Sequence, residues 1–266
     1  MPDAKIAAKR SLALLFSLVT APHARDVVLL YHSIGDGPLA LPQRAFADQM
    51  DWLHATGTVV PLMDLLATDA RQRSRVAITF DDGYRSLHRF AMPVLAGSPA
   101  MPAAFLTTGW IGVADRRASA REHGHYPGEQ FLLWREVEEL AAARWAIGPH
   151  GVEHLDLIVQ PDDCIDVELK RSRSAIETTL GVCLPVFAYP WGHHSARLRR
   201  RVAEAGYSHA LAGAHGPVTA RSDRFAIPRI DVTRKYSLDD FKAIVRGDWD
   251  YLGWYQRARL AWRAGR

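Results

Sequence analysis

Two pairs of residues in this chain have the types and the spacing needed to hold a metal ion. Asp81 and Asp82 stand side by side directly after the apolar run 76–80. Two adjacent carboxylates repel each other at such a place, and a bound cation would relieve the repulsion. His150 and His154 lie four residues apart, and one helical turn between them would bring both imidazoles to the same side. One carboxylate and two histidines make a metal site with open positions for water and substrate.

Each pair also has an ordinary structural explanation. An aspartate after a strand can close an Asx turn, and two histidines at this spacing can simply be surface residues. A zinc protease helix does not fit, because Gly151 stands where that motif requires a glutamate. The metal interpretation therefore depends on a fold that brings the two pairs together.

The apolar run before Asp81 predicts a strand that is buried on both faces, because it is continuous and rich in β-branched residues. Other segments of strand length alternate along the chain with helical patterns; they are 27–31, 103–108, 145–148, 186–189, 208–212 and 224–232. This alternation predicts an α/β fold with a parallel sheet or barrel. In such folds functional residues lie at the carboxyl ends of strands, where the two pairs could meet.

The amino-acid composition favours a single domain and argues against one class of partner. A chain of 266 residues with 48% hydrophobic residues can bury a large core, and no Pro/Ser/Gly-rich linker divides it, which favours one domain. The net charge is only +4 and reflects a modest excess of arginine rather than long basic runs, so a nucleic-acid partner is not indicated. The two cysteines lack metal-ligand spacing and carry little information.

Both ends of the chain are amphipathic. Residues 1–26 have a basic start and then an apolar stretch, which fits a weak signal peptide or, slightly better, a helix on the protein body or on a membrane surface. Residues 248–266 carry an aromatic stripe with arginines elsewhere, typical of a helix docked on the barrel or on a membrane. We therefore separate these segments from a core at 27–247, and slightly favour a cytoplasmic or membrane-surface location over export. Peripheral membrane contact stays open.

Three motifs of this chain resemble those of a known family. They are TFDDGY at 79–84, GPHGVEHLDL at 148–157 and FAYPWG at 187–192. In order and rough spacing they resemble the NodB-type polysaccharide deacetylases, carbohydrate esterase family 4. The resemblance covers about residues 27–235. It implies a distorted (β/α) barrel of about seven parallel strands and a divalent metal, usually zinc.

The resemblance also implies roles for individual residues. Asp81 would be the catalytic base. The implied metal ligands are Asp82, His150 and His154. The backbone amide of Trp191 is the implied donor to the oxyanion that forms when an acetyl carbonyl is attacked. The candidate substrate-binding residues are Tyr189, Pro190, Trp191, Arg229 and Asp231.

One departure from the family pattern concerns an arginine. Family members commonly carry arginine at the place of Ala188, where it partners the catalytic aspartate. Arg229, in the segment PRID at 228–231, is a candidate replacement that would restrain Asp81 by a charge-assisted hydrogen bond. Asp231 would then orient a catalytic group or simply pair with Arg229.

A second departure concerns the catalytic histidine. The sequence has no C-terminal Leu-x-His segment, which normally supplies it. Instead, YHS at 31–33 resembles the subgroup typified by the poly-N-acetylglucosamine deacetylases, in which an N-terminal strand supplies this residue. We therefore expect His32 to be the general acid; the alternative is that it only caps its strand.

Together these observations predict a metal-dependent hydrolase that removes N-acetyl groups from a carbohydrate, with an N-acetylated carbohydrate as its partner. The oligomeric state is not indicated. Two alternatives stay open. One is a catalytically silent carbohydrate-binding protein on the same barrel, suggested by the missing arginine at Ala188. The other is a deacetylase of a lipid-linked or nucleotide-linked sugar.

Overall fold

The computed structural model describes residues 4–19, 24–67, 73–97, 101–113 and 123–253. Strands and helices alternate through them, as expected of an α/β fold. The strands are β1 (Asp26–Tyr31), β2 (Arg75–Phe80), β3 (Ala103–Leu106), β4 (Ala146–Pro149), β5 (Val186–Ala188), β6 (His209–Leu211) and β7 (Ile230–Asp231). The α-helices are α1 (Ala4–Val19), α2 (Gln43–Thr56), α3 (Leu62–Ala67), α4 (Met92–Leu95), α5 (Trp134–Ala142), α6 (Asp162–Leu180), α7 (Ala196–Glu204) and α8 (Leu238–Arg246).

The described strands pair only in parallel and form two ladders. A five-stranded sheet has the order β4-β3-β2-β1-β7, and β5 pairs with β6. The Leu184 amide, just before β5, donates to the Ile147 carbonyl of β4 at 2.8 Å, and the Ala212 amide after β6 donates to the Ile227 carbonyl at 2.8 Å. These bonds link the ladders into the predicted distorted barrel of seven strands, without one continuous ring of strand pairing.

The last strand is much shorter than the sequence pattern predicts. A strand over 224–232 was expected, but β7 covers only Ile230–Asp231. The Asp223 carboxylate accepts the Phe225 amide at 2.8 Å and turns the chain, and Pro228 has no amide to donate to a ladder. The pattern of apolar residues alone therefore overestimates the length of this strand.

Sheet register brings several candidate residues to one edge. Tyr31 of β1 pairs with Phe80 of β2, so His32 and Asp81 leave neighbouring strands at the same level. Because β3 and β4 continue the same parallel sheet, His150, which follows β4, leaves at that edge too. The carboxyl edge of the sheet is therefore where the site must be sought.

The N-terminal helix α1 lies against α8. The Arg10 guanidinium donates to both carboxylate oxygens of Asp240, at 2.8 and 2.6 Å, and the Tyr251 hydroxyl donates to the Lys9 carbonyl at 2.9 Å. The exposed leucines of α1 are Leu12, Leu14 and Leu15. None of the described helices is both long and apolar enough to cross a membrane. Most of the predicted C-terminal helix, residues 254–266, lies outside the described residues.

Candidate active site

Asp82, His150 and His154 meet at the carboxyl edge of the sheet, and all three are buried. One ligand atom from each lies within 4.8 Å of the other two. The Asp82 Oδ1 atom lies 3.5 Å from His150 Nε2 and 3.4 Å from His154 Nε2. Ligand atoms that surround a tetrahedral zinc ion are about 3.4 Å apart, because each lies about 2.1 Å from the metal. The spacing of these atoms therefore suits a small divalent ion.

Hydrogen bonds behind the ligands support the same interpretation. His150 Nδ1 is 2.9 Å from the Ala188 carbonyl and His154 Nδ1 bonds the His123 carbonyl. Each carbonyl requires a proton on Nδ1, which leaves the Nε2 lone pair directed to the site. The Asp82 Oδ1 atom is buried and has no hydrogen-bond partner among the described residues. An unpartnered buried oxygen is costly, so this donor set fits a divalent metal.

The loop that carries the two histidines is not helical, contrary to the prediction from their spacing. Residues 150–156 form an irregular loop, in which Gly151 has φ 81° and His154 has φ 59°. Asp82 (φ 71°) and Trp191 (φ 62°) also adopt left-handed backbone conformations. Such conformations cost non-glycine residues of order 1–3 kcal/mol each and cluster at functional sites. The surrounding structure must therefore hold this site in place.

Glu168 of α6 provides part of that support, and the sequence analysis missed it. Its buried carboxylate accepts the amides of Val152 at 2.6 Å and Glu153 at 3.2 Å. A Cβ atom on Gly151 would lie 2.8 Å from the same carboxylate, so this position needs glycine. The only signal in the sequence is a glutamate on the apolar face of an amphipathic helix.

Further candidate residues line the same cleft, which has a volume of about 220 Å³. His32 lies in it with its Nδ1 3.8 Å from Asp231 Oδ1, and its ring stacks on Tyr126 at 5.5 Å between centroids. Trp191 is 47% exposed, and its indole donates to the His154 carbonyl at 3.2 Å. The structure thus brings together the predicted metal ligands, His32, Trp191 and Asp231.

Two residues of the third motif lie behind the cleft instead. Tyr189 is fully buried, and its hydroxyl donates to the Phe225 carbonyl at 2.9 Å. Pro190 is buried at the start of the turn that carries Trp191. Neither lines the cleft, so both are placed to support the Trp191 turn.

His125 is a second residue near the site that no motif marks. Its imidazole is fully buried between the rings of Trp110 and Phe131, at centroid distances of 4.5 and 4.8 Å. Its Nδ1 lies 3.9 Å from Asp82 Oδ2, beyond hydrogen-bond distance. Within the described residues neither ring nitrogen has a hydrogen-bond partner.

Comparison with known proteins agrees with this geometry. The polysaccharide deacetylase family model matches residues 68–210, just over half of the chain. The chain belongs to the polysaccharide deacetylase family. It is a NodB-type member, and its predicted fold class and family are both confirmed.

Similar proteins span nearly the whole barrel of this deacetylase. YxkH of Bacillus subtilis, named for the same family, is 26% identical over 232 residues, which is 85% of this chain and 78% of YxkH. IcaB from Ammonifex degensii superposes with a TM-score of 0.71 and 23% identity over 85% of this chain and 99% of its own. The Streptococcus pyogenes deacetylase PplD, solved in complex with acetate, superposes with a TM-score of 0.71 and 19% identity over 85% of this chain and 99% of its own. These structures show that the fold is shared.

In this deacetylase Arg229 contacts Asp81, as expected from the missing arginine at Ala188. Its two terminal nitrogens donate to the two carboxylate oxygens of Asp81, at 2.7 and 2.6 Å, and both side chains are buried. Burial alone would raise the pKa of Asp81, but Arg229 and then His150 more than offset it, so the pKa lies below its ordinary value. Asp81 is therefore ionised at neutral pH.

Arg229→Lys tests this contact. Lysine keeps the charge but loses the planar fork, so we expect turnover to fall about tenfold while the far-UV spectrum stays unchanged. Arg200→Lys, on the exposed surface of α7, is the matched control. Turnover equal to that of the unmodified enzyme would show that the fork does not restrain Asp81.

Proposed function

We propose that this polysaccharide deacetylase is a metal-dependent hydrolase that removes N-acetyl groups from a carbohydrate. The observation that carries the proposal is the Asp82 Oδ1 atom, which is unpartnered among the described residues and lies between two histidine Nε2 atoms. Beside it lies Asp81, whose carboxylate accepts hydrogen bonds from Arg229. Hydrolysis of an amide needs an activated water, a base, an oxyanion donor and an acid for the leaving amine. The cleft offers a candidate group for each.

Asp82, His150 and His154 would hold the metal, through Oδ1 and the two Nε2 atoms. A divalent ion bound there supplies a Lewis acid and lowers the pKa of a coordinated water. Nitrogen and oxygen ligands of this kind suit zinc and its first-row neighbours, and we propose zinc because the family usually carries it.

Asp81 would accept the proton of the attacking water. It is ionised, it lines the cleft, and Arg229 fixes its orientation through two hydrogen bonds. Because these bonds already fix its orientation, the carboxylate loses little conformational freedom when the substrate binds. Proton transfer from the water is therefore favoured.

Trp191 would act on the acetyl group and on the sugar. Its backbone amide is the proposed donor to the carbonyl oxygen as negative charge develops there. Its half-exposed indole at the rim of the cleft offers an apolar face for a sugar ring.

His32 would protonate the leaving amine. It lies in the cleft beside the metal ligands, and its side chain is 22% exposed. Asp231, 3.8 Å away, is placed to orient the imidazole. The stack with Tyr126 holds the ring on its other side.

His32→Ala is expected to lower turnover of an N-acetyl substrate about a hundredfold, near the lower end for a general acid, because the open cleft lets water supply protons. The fall in activity on the alkaline side should flatten, since it reports loss of the imidazolium proton. An O-acetyl ester should suffer less, because its leaving group needs less protonation. Equal losses on amide and ester, with an unchanged pH profile, would show that the proton comes from elsewhere.

The proposed reaction itself is tested by acetate release from a panel of N-acetylated sugars and oligosaccharides. Protein stripped with a chelator should be inactive, and added zinc should restore release. Sugar binding without acetate release at any metal concentration would instead support a catalytically silent carbohydrate-binding protein.

A further inference from the structure

One short loop contacts two residues of the active site. Its first residue, His123, accepts a hydrogen bond from His154 Nδ1 through the backbone carbonyl. Three positions later, the Tyr126 ring stacks on that of His32 with 5.5 Å between centroids. His125 lies between these two contacts, and its side chain is buried in the protein. The loop thus already supports a proposed metal ligand and the proposed acid, which makes the environment of His125 informative.

The imidazole of His125 is enclosed by other rings. The ring centroids of Trp110, Phe131 and His154 lie 4.5, 4.8 and 4.7 Å from its own, and its side chain is 0% exposed. Neither ring nitrogen has a hydrogen-bond partner among the described residues. A buried polar group without a partner destabilises a folded protein. If His125 served only to fill this space, an apolar ring would serve better.

Asp82 is the carboxylate that the His125 ring approaches. The Nδ1 atom of His125 lies 3.9 Å from Asp82 Oδ2. The Nε2 atoms of His150 and His154 approach the other oxygen, Oδ1, at 3.5 and 3.4 Å. Asp82 therefore presents one oxygen to the two histidine ligands and the other oxygen to His125.

This arrangement suits a carboxylate that binds a metal through one oxygen. Such a ligand is usually hydrogen-bonded in turn, and the hydrogen bond fixes its orientation. The Nδ1 and Oδ2 atoms are beyond hydrogen-bond distance at 3.9 Å, but a movement of about 1 Å would bring them within it. No other described group takes the Nδ1 proton, so nothing in this part of the chain competes with Asp82 for it.

We propose that His125 is a positioning residue, which donates a hydrogen bond from Nδ1 to Asp82 Oδ2 when a divalent ion binds and so directs Oδ1 at the ion. The inference rests on the metal site of the proposed function and adds a residue to it. Residues that orient a ligand in this way contribute about 10–100-fold to metal affinity. The same hydrogen bond would offset the cost of burying His125 without a partner.

Direct binding of the ion by His125 is a different role, and the geometry does not favour it. Among the described residues, the group of mutually close ligand atoms comes from Asp82, His150 and His154, and it does not include His125. Loss of a ligand should abolish stable metal binding, whereas loss of a positioning residue should only weaken it. Metal affinity therefore distinguishes the two roles.

The first test is calorimetry of His125→Phe with zinc. Phenylalanine keeps a ring of similar shape but has no donor, so we expect zinc to bind about 10–100-fold more weakly. The metal-free variant should melt at the same or a higher temperature than the unmodified protein, because two unsatisfied nitrogens are removed. His88→Phe is the matched control. His88 pairs with Glu139 outside the cleft, so its replacement should leave zinc affinity unchanged.

A second pair of variants isolates the hydrogen-bond donor from the shape of the ring. In His125→Asn the amide nitrogen is bonded to Cγ, as Nδ1 is in histidine, so an N–H donor stays close to the proposed position. His125→Leu has the same branching but no polar atom. We expect His125→Asn to bind zinc about tenfold more tightly than His125→Leu does. Equal zinc affinity in these two variants would contradict a role as donor.

The results also separate this inference from the proposed function. Zinc affinity in His125→Phe equal to that of the unmodified protein would overturn the positioning role and leave the metal-dependent reaction standing. Complete loss of zinc binding in a folded His125→Phe would overturn it as well, because His125 would then be a ligand. If the unmodified protein bound no zinc, the metal site and this inference would both be rejected.

Discussion

Replacing His150 or His154 by alanine is expected to abolish stable binding of a divalent ion and with it the acetate release. Each substitution removes one of the two Nε2 atoms that flank Asp82 Oδ1. The two ligands that remain are too few, because a catalytic zinc site needs three protein ligands and one position for water. Metal analysis after gel filtration should show about one zinc per chain in the unmodified protein and none in either variant.

Thermal unfolding gives an independent check on metal binding. Zinc at about 100 times its dissociation constant should stabilise the unmodified protein by about 2.7 kcal/mol, and the two variants should show no such dependence. His193→Ala is the matched control, because this histidine is half-exposed and pairs with Asp156 at 3.0 Å outside the cleft. Full metal content in both variants would refute the assignment of these histidines as ligands.

Asp81→Asn should retain zinc but lose two to four powers of ten in turnover. The amide cannot accept the proton of the attacking water, and general bases contribute about this much. The variant should also unfold more easily, by up to about 3–5 kcal/mol, because Arg229 would be left buried without its counter-ion. Single-turnover acetate release and calorimetry with zinc measure the two effects separately.

The pH profile adds a second readout for Asp81. Because the pKa of Asp81 lies below its ordinary value, activity should persist below the usual titration range of an aspartate before protonation removes the base. Asp51→Asn, on the exposed surface of α2, controls for the loss of one carboxylate. If Asp81→Asn lost the zinc and Asp82→Asn kept it, the roles of the two aspartates would be exchanged.

Local sequence patterns predicted the parallel sheet, and the carboxyl ends of its strands as the place where the aspartate pair and the histidine pair could meet. The buried run of β2 places Asp81 and Asp82 at the strand end, and parallel register then brings His32 beside them. The loop with His150 and His154 was predicted incorrectly, because its conformation depends on Glu168 of a later helix rather than on local spacing.

The remaining features depend on contacts that no local pattern contains. Arg229 could be proposed only because a family arginine was missing at Ala188. His125 lies in a polar segment without a motif, and its burial results from Trp110 and Phe131 closing over it.

The placement of His32 and Arg229 has a consequence for engineering this barrel. The family model matches 68–210, yet these residues lie on either side of that span, and β1 and β7, which bring them in, are neighbours in the sheet. A chimera that transplants only the matched span would carry the three proposed metal ligands without Arg229 and without His32, the proposed acid. Such a hybrid should behave as a zinc-binding protein with negligible turnover, so the smallest exchangeable unit runs from β1 through β7.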